Sequence, residues 1–402
     1  MIEKVLKDLV EKPISGEWGT DGGDIKVLRT TNFTNEGIID YSNVVLRNID
    51  ERKVNSKKLK PGDIIIEKSG GSPKQPVGRV VYFDNEGTYL CNNFTSVLRP
   101  KGDRVFSKYL LYILFSNHQF GFTGNFQNKT TGIINLQLTR YINKTKIPLP
   151  PLATQKKIAA ILDEADKLRQ LDKKLIEKYE ALTQSLFLDM FGDPVTNKKD
   201  WETKSIVELV KDEKYSLKRG PFGGALKKEI FVEDGYLVYE QFHALNNDFS
   251  MARYFIDEKK YNELIGFAVK PKDIIISCSG VYLGKLAIVP GGAKEGIINQ
   301  ALLKVTLDES KMRNDFFVFH FTQDSFRRTF FDANRGAGIP NFPPMKDFKK
   351  FPFILPPINL QNQFSERVQA IEAQKAQAQQ SLQKSEELFN SLLQKAFKGE
   401  LV

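Results

Sequence analysis

Two stretches of the chain, Leu152–Met190 and Ile358–Phe397, mix apolar and polar residues with a helical period and contain neither glycine nor proline. In the first, Ile158, Ile161, Ala165, Leu168, Leu171, Leu175, Tyr179, Leu182 and Leu186 recur. Their spacing is about 3.5 residues, the period of a left-handed coiled-coil seam. The second repeats the pattern with Phe364, Val368, Ile371, Ala378, Leu382, Phe389 and Leu392, interrupted by Lys375 and Ser385. A Pro-Pro pair precedes each stretch and Gly192 or Gly399 follows it, as expected at helix boundaries. At 1.5 Å per residue each predicted helix is about 55–60 Å long.

The intervening segments are mixed. Asp63-Ile-Ile-Ile, Val77–Phe83, Asp273-Ile-Ile-Ile and Lys285–Val289 read as short strands bounded by Gly and Pro. Lys108–Phe115 and Asp315–Phe321 each read as a buried helix. These parts are copies of one another. Pro150-Pro-Leu-Ala-Thr-Gln155 recurs as Pro356-Pro-Ile-Asn-Leu-Gln361, and Gly132-Ile-Ile-Asn135 as Gly338-Ile-Pro-Asn341. Leu59-Lys-Pro-Gly-Asp63 recurs as Val269-Lys-Pro-Lys-Asp273, and Ser15-Gly-Glu-Trp-Gly19 resembles Arg219-Gly-Pro-Phe-Gly223. Internal repetition on this scale predicts a duplicated architecture. The expected fold is α+β, a pseudo-two-fold tandem repeat of two mixed domains separated by two long antiparallel coiled-coil helices. The expected boundaries are 1–151, 152–190, 191–357 and 358–402.

Charge adds a function class. The 402 residues carry a net charge of +10, of which +7 lies in 1–151 and +3 in 191–357, while both helical stretches are neutral. A pair of cationic domains on a neutral frame fits a polyanionic partner, and a repeated pair fits a duplex whose strands are related by two-fold axes. The two cysteines, Cys91 and Cys278, are too few for a disulfide framework. With no signal-peptide pattern and no apolar run of spanning length, a cytoplasmic protein without a membrane partner is expected.

Three stretches carry a family resemblance: Leu149-Pro-Pro-Leu-Ala-Thr-Gln-Lys-Lys-Ile-Ala159, Leu186-Phe-Leu-Asp-Met-Phe-Gly-Asp-Pro194 and Lys395-Ala-Phe-Lys-Gly-Glu-Leu401. They resemble the conserved regions of specificity (S) subunits of type I restriction-modification systems, and the resemblance spans the chain. It implies a non-catalytic subunit whose two target-recognition domains each read one half of a split, asymmetric double-stranded DNA target. It implies helices that fix the gap and dock two modification subunits, with restriction subunits joining them. It also implies that this chain binds no cofactor: S-adenosylmethionine sits on the modification subunit, and ATP and Mg on the restriction subunit.

Candidate DNA-contacting residues follow from positions where the copies match in frame but differ in side chain. Arg29, Thr30, Thr31 and Asn32 align with Glu240, Gln241 and His243, and such side chains offer different donors and acceptors to base edges. Around the glycine loops, Lys68, Ser69, Gly70 and Arg79 match Ser279, Gly280 and Lys285, with Arg219 nearby, as candidates for backbone phosphates. Trp18 and Phe222, each between glycines, fit packing anchors better than base stacks. Asn93 with Asn299, and Asn135 with Asn341, are assigned to turns. Lone His118 and His320 fit packing roles.

Catalytic signatures are absent from the sequence. There is no phosphate-binding glycine loop opening a helix, and Asn341-Phe-Pro-Pro-Met departs from an aminomethyltransferase motif at Phe342 and Met345. Asp63, Glu67 and Lys68 lack nuclease spacing, so no metal site is expected. The rivals are a single-chain restriction or modification enzyme and a coiled-coil scaffold that does not bind DNA.

Overall fold

The computed structural model describes residues 2–128, 133–280, 283–331, 341–398 and 400–401. Gly132, Gly338–Pro340 and Gly399 of the repeat motifs lie outside the described residues. The chain forms two compact units, Met1–Lys174 with Gln379–Val402, and Leu175–Ala378. Each of the two long helices, Leu152–Phe191 and Ile358–Lys398, contributes one half to each unit.

The first unit holds a four-stranded antiparallel sheet in the order Ile14–Ser15, Thr95–Leu98, Ile64–Glu67, Val80–Tyr82. A three-stranded sheet pairs Val45–Asn48 antiparallel and Tyr89–Cys91 parallel with Thr20–Leu28. In the second unit, Leu217–Arg219, Leu302–Val305, Ile274–Ser277 and Leu286–Ile288 repeat the order of the four-stranded sheet. Register repeats as well. Ile64 faces Tyr82 and Leu98, and Ile274 faces Ile288 and Val305. The Ile-Ile-Ile runs are strands buried on both faces, which is why they lack polar alternation.

The expected buried helices are Ser107–Gln119 and Asn314–Thr322. In the first unit, Tyr109, Leu110 and Leu114 share a core with Ile158, Leu162, Phe389 and Leu393. The second unit's core is aromatic, with Phe187 and Phe191 against Phe316 and Phe364 at ring separations of 4.8–5.7 Å. The repeated Pro-Pro-x-x-x-Gln motif gains a physical reason here. Gln155 accepts from Phe106 N at 2.8 Å and donates to Pro150 O at 2.8 Å. Gln361 accepts from Arg313 N at 2.9 Å and donates to Pro356 O at 2.8 Å. Each buried amide thus ties the start of a long helix to the start of an inner helix.

The long helices pack antiparallel, since the start of one meets the end of the other within each unit. The second helix turns Phe364, Val368, Ile371, Leu382, Phe389 and Leu392 inward, as its pattern predicts. For the first helix the expected seam is corrected. Ile158 and Leu186 face inward, but Ile161, Leu168, Leu175 and Leu182 are exposed, as is Leu171. The buried stripe lies beside them and carries Ala159, Leu162, Ala165, Arg169, Asp172, Thr183 and Phe187. Polar pairing explains this choice. Asp172 accepts from Ser385 at 2.9 Å and Ser381 at 3.2 Å, and the Arg169 guanidinium lies 4.4 Å from the Phe389 ring centre. Lys375 pairs with Glu180 at 3.0 Å. Both stripes share one period, so periodicity alone cannot tell which faces in.

Candidate nucleic-acid interface

In both units the residues singled out as possible readers form the first turn of a short helix after a strand, a 3-10 turn Thr30–Asn32 in one and the α-helix Gln241–Asn246 in the other. The first begins at Arg29 after Thr20–Leu28, and the second at Glu240 after Tyr236–Tyr239. Each turn is closed by the side chain of its fourth residue. Arg29 N donates to Asn32 Oδ1 at 2.9 Å, and Glu240 N donates to His243 Nδ1 at 3.0 Å. Asn32 also donates to Asp40 O and Asn43 O, while His243 Nε2 lies 3.0 Å from Met251 O. Both ring nitrogens are thus engaged with backbone groups, Nδ1 at Glu240 and Nε2 at Met251. Both side chains are buried, and His243 packs against Tyr239 and Phe249. Asn32 and His243 are thus corrected from base readers to backbone caps, because their polar atoms are already engaged.

The glycine loop sits beneath each turn. Gly70 and Gly280 both take positive φ, +92° and +74°, with open space where a Cβ would stand. Beyond them Leu136 N donates to Lys68 O, and Phe342 N donates to Cys278 O. Ser69 hydrogen-bonds Asn135, and Ser279 forms a β-bridge with Asn341. An open cleft of about 500 Å³ in the first unit is lined by Thr30, Thr31, Gly70, Gln75, Glu67 and Arg79.

The struts between turn and loop differ. In the first unit the buried Arg79 guanidinium pairs with Glu67 at 2.9 and 3.1 Å and donates to Phe33 O and Thr30 O. All of its donor nitrogens are used, so the phosphate assignment of Arg79 is corrected: it props the turn. In the second unit Gln241 Nε2 donates to Ser277 Oγ at 2.7 Å and Ser279 O at 2.8 Å. Ser277 stands where Glu67 does, and Lys285, matching Arg79, is exposed. Gln241 is accordingly corrected from a base reader to a strut.

The model for the type I restriction modification DNA specificity domain matches residues 4–181. That match spans less than half of the 402 residues, and it makes the first copy similar to the DNA specificity domain of type I restriction-modification systems. The chain is similar to a putative type I restriction enzyme specificity subunit of Methanocaldococcus jannaschii, 23% identical over 91% of this chain and 85% of that one. Two solved structures share the fold. One, from work on complex assembly and conformational transition of the type I R-M system, has a TM-score of 0.61 at 16% identity. It covers 100% of this chain and 98% of that chain. The other is a type I S subunit from M. genitalium, with a TM-score of 0.54, 14% identity, and 98% and 96% covered. The family-model match falls on the first copy and the helix that follows it.

The remaining sequence candidates fall as follows. Lys68 donates to Ser15 Oγ at 2.7 Å, and partial burial lowers its pKa. Arg219, at the position of Ser15, lies in the strand Leu217–Arg219, and the buried Cys278 stands at the position of Lys68. The cation thus comes from opposite strands in the two copies. Burial dominates both thiols and pushes Cys91 up to about 11 and Cys278 to about 12. Arg29 donates to Asn43 O at 3.1 Å, leaving Thr31 as an exposed side chain of its turn.

Several sequence assignments change. Trp18 packs under Arg47 at 3.7 Å, but Phe222, expected as an anchor, is 76% exposed. Asn299 matches Asn92 rather than Asn93: a Cβ on Gly16 would lie 1.9 Å from Asn92 O, and one on Gly220 1.9 Å from Asn299 O. Asp63 is a turn clamp, accepting from Lys60 N, Arg99 Nε and Arg99 Nη2, and Asp273 accepts from Lys270 N in the same way. His118 and His320 are held neutral by burial, with pKa values lowered to about 4 and about 3. Phe242, exposed at the tip of the second turn, was missed because an apolar residue beside His243 reads as core. Among the described residues no three His, Cys, Asp or Glu side chains gather as a metal site, and no helix is long and apolar enough to cross a membrane.

Proposed function

We propose that this chain is the DNA-reading, non-catalytic subunit of a modification complex, and that its two α+β units bind the two halves of a split, asymmetric duplex target. The observation that carries this reading is the matched pair of turn and glycine loop, kept in backbone and register while the side chains differ. Two similar but unlike readers suit two unlike half-sites. The excess positive charge of 1–151 and 191–357 supports sequence-independent attraction to phosphates. Lys68, Ser69, Gly70, Arg219, Ser279, Gly280 and Lys285 remain the candidate backbone contacts, and Arg29, Thr30, Thr31 and Glu240 the candidate base contacts.

The exposed stripe Ile161, Leu168, Leu171, Leu175 and Leu182 supports docking of the modification subunits, because apolar side chains at heptad spacing suit a helical partner. Methyl transfer, with S-adenosylmethionine, then belongs to that partner, and ATP- and Mg-dependent cleavage to a restriction subunit. Cytoplasmic work on chromosomal DNA agrees with two free thiols. The test is binding of the full chain to random duplex across a salt series. Affinity falling steeply with salt supports the reading. Salt-independent or absent binding favours the scaffold alternative, and methylation or cleavage by the chain alone favours the enzyme alternative.

A further inference from the structure

We propose that Thr31 and Phe242 are the specificity-determining side chains of the two turns, each contacting the methyl group of a thymine in its own half-site. This deepens the DNA-reading function proposed above and rests on it. The argument is one of elimination within each turn. Asn32 and His243 are buried and spent on capping their own backbones. Arg29 Nη2 donates to Asn43 O and the Thr30 carbonyl accepts from Arg79, and both side chains are less exposed than Thr31. Gln241 is tied down to Ser277 and Ser279.

What each turn then presents outward is its third residue, Thr31 in one copy and Phe242 in the other, both exposed. Thr31 also lines the open cleft beside Gly70. Phe242 lies edge-on to the capping His243, with ring centres 6.0 Å apart, so the cap fixes the direction of the tip. A phenyl ring neither donates nor accepts a conventional hydrogen bond. In the major groove the apolar feature it can recognise is the thymine C5 methyl, and the threonine methyl can do the same.

The experiment uses the full chain assembled with its modification subunits. Its preferred duplex is selected from a random pool, and each thymine is then replaced by uracil, which removes one methyl. The expected result is one position in the second half-site where uracil weakens wild-type binding about tenfold, and where Phe242→Ala is equally weak on thymine and uracil. Phe242→Leu, which keeps a large apolar side chain, should recover part of the loss. Unchanged uracil sensitivity at the first half-site would show that the variant is folded. Thr31→Ala should act at the first half-site alone, by about threefold. A half-site indifferent to uracil in the wild type, or uracil sensitivity surviving in Phe242→Ala, overturns the inference. If binding to random duplex persists, only this inference fails; if that binding is absent, the DNA-reading function fails with it.

Discussion

The two capped turns begin alike but are fastened by different atoms. In the first unit a short carboxamide, Asn32, caps the turn and a buried Arg79–Glu67 pair props it from below. In the second an imidazole, His243, makes the cap, and the turn's own Gln241 reaches down to Ser277 and Ser279. The prop therefore runs upward in one copy and downward in the other. The position of the chain is thus alike in the two copies while the side chains exchange roles. A residue that differs between copies is thus not always a reader; it can be an alternative fastening.

The largest effect should come from breaking the prop in the first unit. Arg79→Ala leaves Glu67 charged and buried, and should destabilise that unit by about 3–5 kcal/mol in chemical denaturation. Lys285→Ala at the matching, exposed site should leave stability unchanged and lower the salt slope of DNA binding by about 1. Equal outcomes at the two sites would break the comparison. Next in size, Gln155→Ala and Gln361→Ala should each cost about 1–3 kcal/mol, because each leaves a buried backbone N–H and carbonyl unmatched. His243→Leu should cost a similar amount, about 1–3 kcal/mol, while His243→Asn, borrowing the cap of the first copy, should cost less than half of that. Acid gives a graded test. His118 and His320 take up protons in the unfolded chain near the ordinary 6.5 but in the fold only near 4 and 3. Stability is therefore full above pH 6.5 and falls as the pH drops toward those values. The loss is up to about 1.4 kcal/mol per pH unit per residue, and His118→Phe or His320→Phe should each flatten the slope. The smallest effect on stability should come from Leu168→Asn with Leu175→Asn on the exposed stripe. That pair should leave the melting temperature within a few degrees yet remove co-purification of a modification subunit.

Much of this was legible in the sequence. Both long helices, the Ile-Ile-Ile strands, the inner helices and the duplication followed from periodicity and from motif spacing. Charge by segment pointed to the globular copies. Illegible were the choices that depend on which polar atom meets which. The inward face of the first helix follows from Asp172 meeting Ser385, a partner more than two hundred residues away. Asn32 and His243 carry the side-chain chemistry of readers, and only their short contacts to Arg29 N and Glu240 N show them to be caps. Phe242 was overlooked for the opposite reason, since hydrophobicity suggested burial and the turn places it outside.

Sequencing the duplexes that the full chain retains, with its modification subunits, from a random pool is the most direct test of two separate readers. Two short conserved blocks with an unspecified stretch of constant length between them are predicted. Replacing residues 240–243 by Arg-Thr-Thr-Asn should alter one block and leave the other untouched. A single uninterrupted block, or changes in both blocks from that one replacement, would contradict the account.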